Sequence, residues 1–160
     1  MRQMLGRVRV GTLALLLAPI TVALADQAFH TERLPLSLTA EGAATEPPHP
    51  TLRSGHVVDM HANGPQIGAL ERYVINGARA NSSYDVVLEL FEGDCEGAES
   101  LPVMTTTLET NKQGNAHGGF VFTAEDLAPF SGAVVGVRWT LVDEEGIIAY
   151  ATSCIVAAID

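Results

Sequence analysis

His56, Asp59 and His61 fall within one short stretch, with Met60 beside them, His49 upstream and His117 in a distant glycine-rich segment. Imidazole and carboxylate ligands suit zinc or copper, and a thioether would add copper(I). Strand geometry limits the set, because side chains alternate between faces: Asp59 and His61 point one way, His56 and Met60 the other. A zinc or copper site would therefore need Asp59 and His61 completed from elsewhere, with His117 as the candidate third ligand. The alternative is a set of surface polar residues without the tight spacing of zinc motifs. Glu92, Asp94, Glu96 and Glu99 around Cys95 offer hard oxygen ligands for calcium, but their spacing is not that of a calcium loop, and they read as a solvated acidic turn. Asp143, Glu144 and Glu145 read as an exposed hairpin tip. There is no GxSxG, and no serine or cysteine with a histidine and an acid in a recognisable nucleophile setting. No catalytic residue is assigned, no enzymatic activity is expected, and no cofactor is required beyond the zinc, copper or calcium alternatives. Asn81, Ser82 and Ser83 form a glycosylation sequon, relevant only in a eukaryotic secretory pathway.

The amino terminus sets the compartment in which these side chains would work. Arg2, Arg7 and Arg9 form a basic region, Val10 to Val22 an apolar one, and Ala23, Leu24 and Ala25 a small-x-small cleavage pattern. Residues 1–25 are thus expected to be a signal peptide, with a secreted or periplasmic product starting at Asp26. The apolar run contains Pro19 and is short of a bilayer span, so no membrane association is expected after cleavage. Removing three of the nine basic residues leaves six against nineteen acidic ones, a balance of −13. With Lys112 as the only lysine, a nucleic-acid-binding role is disfavoured, because phosphate contacts need a basic face. In an oxidising compartment Cys95 and Cys154 are expected to form one disulfide, and neither has a CxxC neighbour that would suggest redox or metal chemistry.

These side chains must be positioned by strands. Residues 26–55 carry Pro35, Pro47, Pro48 and Pro50 with little periodicity and read as a flexible arm; alternating Leu34, Leu36 and Leu38 allow one edge strand within it. Residues 56–160 read as a β-sandwich domain with a period of two nearly throughout. His56 to Met60 and Ala69 to Ile75 are short runs joined by a turn at Asn63 to Pro65. Tyr84, Val86, Leu88 and Leu90 share one face of a half-buried strand, with Asp85 and Glu89 on the other. Val103 to Thr110 and Phe120 to Phe122 are expected to pair as a hairpin across a glycine-rich tip. Thr123 and Asp126 have capping-box spacing for the one helical turn expected, ending before Pro129. Ala133, Val135, Val137, Trp139 and Leu141 share one face of a long strand, which makes Trp139 a core residue, and Ile147 to Ile159 returns. Short antiparallel strands with only one helical turn predict an all-β, two-sheet sandwich.

The segment Ala78 to Tyr84, followed by Val86, Leu88 and Leu90, resembles the strand-entry segment of fibronectin type III and other immunoglobulin-like domains. The resemblance implies an immunoglobulin-like Greek-key sandwich in which the Tyr84 hydroxyl bonds to upstream backbone near Ala78 to Ala80. Ala78 and Ala80 stand where the family usually has leucine and proline, and about 70 residues follow, more than the last strand of such a module needs. Tyr73, on a shorter run, is expected to make no comparable bond. The functional expectation is a non-enzymatic binding or interaction module for a protein or small ligand. The alternatives are a metal-binding protein using Asp59, His61 and His117, and a small-ligand carrier using a cleft lined by the apolar face.

Overall fold

The computed structural model describes residues 29–62, 68–96 and 99–159. The expected signal peptide and the turn at Asn63 to Pro65 lie outside the described residues. The chain folds as an all-β sandwich of two antiparallel sheets. The four-stranded sheet has the order β1 (Phe29–Pro35), β3 (Ser54–Ala62), β4 (Ala69–Asn76), β7 (Ala116–Phe122). The second sheet runs β2 (Ser37–Leu38), β9 (Ile148–Ala151), β8 (Val134–Asp143), β5 (Ser83–Glu92), β6 (Leu101–Glu109), with β10 (Ile155–Ala158) also paired to β8.

Period-two patterning places the core. Tyr84, Val86, Leu88 and Leu90 of β5 and Val135, Val137, Trp139 and Leu141 of β8 are buried and meet Val57, Tyr73 and Ile75 of the facing sheet. The helical turn expected at Thr123 is present as α2 (Ala124–Leu127), and another, α1 (Ala40–Ala44), precedes it. Its capping box is complete: Thr123 Oγ1 accepts from the Asp126 N–H while the Asp126 side chain accepts from the Thr123 N–H.

Three expectations are corrected. Residues 29–55 are not a loose arm. Leu34 and Leu36 are buried, β1 pairs with β3, β2 pairs with β9, and α1 (Ala40–Ala44) docks Gly42 on the Ala149 backbone, where a Cβ would lie 2.6 Å from the carbonyl oxygen. The prolines sit at strand ends and between elements, where their missing N–H costs no ladder bond. Next, β6 and β7 are not a hairpin pair: β6 pairs with β5 and β7 with β4, so the connection crosses between sheets. Gly114 makes that crossing tight, with φ +72° and a position where a Cβ would meet the Ala78 carbonyl at 2.0 Å. Finally, the return strand is broken into β9 and β10. The Thr152 hydroxyl takes the Trp139 N–H at the break, and Cys154 follows it. Cys95 and Cys154 form the expected disulfide, with Cα atoms 6.1 Å apart.

Candidate functional site: a cavity between the sheets

The inward positions of β7 explain why the two sheets do not pack equally along their length. Ala116 and Gly118 are small, and a Cβ on Gly118 would lie 2.7 Å from Leu108 Cδ2, so the sheets approach closely there. Phe120 and Phe122, further along, stack edge to face with centroids 4.8 Å apart and hold the sheets open. The result is a partly open cavity of about 320 Å³. Its walls are Phe120, Phe122 and Ala69 from one sheet, Leu88, Leu90, Val103, Val137 and Trp139 from the other, and Ile155 and Ala157 from β10. Leu127 and Phe130 lie at its margin.

The lining is mostly apolar, with its polar groups concentrated on one wall. Asp59 and His61 of β3 and Glu71 of β4 line the cavity, and Asp59 is the direct cross-strand partner of Glu71. Glu71 is only 2% exposed. Burial pushes its carboxyl up; donation from the Tyr73 hydroxyl and proximity of the Trp139 indole work against this, the Asp59 charge adds to it, and the net position is about 7. Tyr73 is fully buried, and its hydroxyl also meets Thr105 Oγ1 at 2.9 Å. Thr105 can reach it because a bulge in β6 skips that residue in the register with β5. The Trp139 indole N–H, on a residue 2% exposed, faces this wall without completing a hydrogen bond of normal geometry. Tyr73 makes no bond to upstream backbone of the kind expected of Tyr84, but its hydroxyl is held by the side chains of Glu71 and Thr105.

The candidate metal ligands are only partly assembled. Asp59 and His61 share the inward face, as their spacing predicts. His117 pairs with Val74 on the outward face at the opposite end of β4, in line with His56, and is exposed. It cannot join Asp59 and His61, because a sheet separates them. Among the described residues no group of three or more His, Cys, Asp or Glu stands where it could hold a metal ion. His56 meets Arg33 Nη2 at 3.2 Å, and desolvation followed by the Arg33 charge holds its imidazole below the usual range. Glu92, Asp94 and Glu96 are exposed, and the Asp94 carboxylate accepts the Glu96 N–H in a local turn.

A second polar cluster lies at the far end of the sandwich and is closed. His49, with a fully buried side chain, joins Asp143 Oδ2 through Nε2 at 2.7 Å and the Tyr84 hydroxyl through Nδ1 at 3.1 Å. Tyr150 packs against both rings and donates to the Pro50 carbonyl at 2.8 Å. Desolvation raises Asp143, but bonds from the Ile147 N–H, His49 and the Glu145 N–H together hold its carboxyl below the usual range. Burial pushes the Tyr84 phenol up, opposed by the backbone of Arg79, which lies within the stretch where an upstream contact is expected. Asp143 is therefore a buried anchor and not part of an exposed tip.

Comparison with protein families, with curated proteins and with solved structures gives no match.

Proposed function

We propose that this chain is a small-ligand carrier, an exported binding protein that holds a compact, mostly apolar molecule between its two sheets. The observation that carries the reading is the cavity of about 320 Å³, apolar on most sides and polar on one, within the size range of small-molecule sites. Apolar walls supply affinity through burial, at roughly 25 cal/mol per Å² removed from water, and the polar wall supplies orientation. The metal reading loses support because His117 lies on the opposite face from Asp59 and His61. Export accords with the basic and apolar amino-terminal stretch and with the disulfide. An intact mass beginning at Asp26 checks the cleavage.

The neutral fluorophore N-phenyl-1-naphthylamine tests the site. Its emission should rise on mixing with the protein, and Ala157→Phe, which fills the cavity from β10, should reduce the affinity at least tenfold. Equal binding by wild type and variant would place the probe elsewhere and defeat the reading.

A further inference from the structure

The polar wall of the cavity has an uneven composition. Its charged and titratable lining groups are Asp59 and His61 on β3, Glu71 on β4 and Asp126 on α2, and no lysine or arginine is among the described lining residues. The nearest arginines point away from it. Arg138 lies on the outer face of β8, bonded to Glu89 at 2.7 Å, and Arg72 occupies the outward register of β4 between inward-facing Glu71 and Tyr73. Asp126 is taken up by its capping box with Thr123, which leaves Asp59 and Glu71 as the carboxyl groups of the polar wall beside His61.

The neighbours of Glu71 are donors without a charge to give. Tyr73 donates its hydroxyl proton to Glu71, and the buried Trp139 N–H faces the same wall with no hydrogen bond completed. Two such donors favour a carboxylate over a carboxylic acid, because a neutral acid would need one of its oxygens to act as donor itself. The facing elements contribute only uncharged groups: Leu88 and Leu90 from β5, Thr105 from β6, Trp139 from β8 and Ile155 from β10. A buried carboxylate that receives hydrogen bonds but no counter-charge is stabilised most by a cation brought in by the ligand. The rings of Phe120, Phe122 and Trp139 beside it also favour a cation over an anion, since aromatic faces attract positive charge.

We propose that the ligand is an amphiphilic amine whose ammonium group lies against the Glu71 carboxylate beside Asp59, with its apolar body between Phe122 and Trp139. The inference rests on the carrier reading above and adds the chemical class of what is carried. An anionic ligand would meet the carboxyl groups of Asp59 and Glu71, and a purely apolar one would bury the carboxylate without compensation. Binding of the amine should favour the ionised form of Glu71, so affinity should be highest above pH 7 and fall as Glu71 takes up a proton in the free protein.

The test uses three probes of one shape, 4-phenylbutylamine, 4-phenylbutan-1-ol and 4-phenylbutyrate, titrated calorimetrically into the full mature protein. At pH 8 the amine should bind at least tenfold more tightly than the alcohol, with the carboxylate weakest. Its affinity should fall by up to about tenfold per pH unit below pH 7. Glu71→Gln keeps an acceptor for Tyr73 and should bring the amine down to the level of the alcohol and remove the pH dependence. Asp59→Asn should weaken the amine less. If the alcohol binds as well as the amine, or Glu71→Gln leaves the preference intact, the amine inference is overturned while the carrier reading stands. If none of the three probes nor the naphthylamine binds, both are overturned.

Discussion

The two ends of the sandwich each bury a carboxyl group beside a tyrosine, and they resolve that problem in opposite ways. At the closed end Asp143 receives His49 Nε2 and the N–H groups of Glu145 and Ile147, with Arg79 Nη1 at 3.9 Å. Desolvation is overcome there, and the carboxyl titrates below its usual range. At the open end Glu71 has one completed donor, Tyr73, a neighbouring acid, Asp59, and a cavity in front of it, and burial leaves it at about 7. The contrast teaches that burial alone does not set the titration of an acid; the number of completed donors decides which way it moves. A polar cluster completed from within holds the fold together, whereas one left short beside an apolar cavity is suited to a ligand.

The two ends should therefore respond oppositely to truncation and to pH. His49→Ala should be the most damaging change, costing about 3 kcal/mol in denaturant unfolding, because it opens a void and removes a partner from both Asp143 and Tyr84. It should leave probe binding in the cavity unchanged. Glu71→Gln should have the opposite sign. The unfolded chain ionises Glu71 near 4.5 and the folded protein near 7, so the unfolded state loses its proton first and stability falls as pH rises between those values. Above pH 7 the accumulated penalty is about 3 kcal/mol, and the variant should gain about 1–3 kcal/mol at pH 8 with little gain near pH 5. A destabilised Glu71→Gln at pH 8 would mean that the two ends are not different in kind. Asp143 works the other way, contributing stability above its usual range that is lost as pH falls through its depressed value.

Tyr73→Phe should have the smallest effect, a loss of about 1–2 kcal/mol at pH 8, because it removes the donor from an ionised and buried partner. The loss should shrink toward pH 5, where Glu71 is protonated. Unfolding curves at the two pH values check both the size and the direction of the change.

Much of the architecture was legible from period-two alternation. The phase of Tyr84, Val86, Leu88 and Leu90, and of Val135 to Leu141, is that of the core, and the disulfide followed from two isolated cysteines behind an expected export signal. Strand pairing was less legible, because alternation specifies a face and not a partner; Val103 to Thr110 and Phe120 to Phe122 lie close in sequence but in different sheets. The 29–55 segment was misread because its prolines dominate its composition, while what orders it is contact at long range, as between His49 and Asp143. The facing of Asp59 and His61 was readable from their spacing, and that of His117 was not, since it depends on the register of β7 against β4. Glu71 was missed although a signal existed. It is two residues before Tyr73 and four before Ile75, so once those two face inward it must as well.

Trp139 is the only tryptophan, so its indole N–H gives a single resonance that reports directly on the polar wall. In a nitrogen–proton correlation spectrum titrated with 4-phenylbutylamine at pH 8, that resonance should move downfield as the N–H closes onto an ionised Glu71. The amides of Ala69, Phe120, Phe122 and Ile155 should shift with it, while those of Tyr84, Asp143 and Tyr150 stay in place. A stationary indole resonance, or shifts concentrated at the closed end or on the outer sheet faces, would contradict the assignment of the inter-sheet cavity as the ligand site.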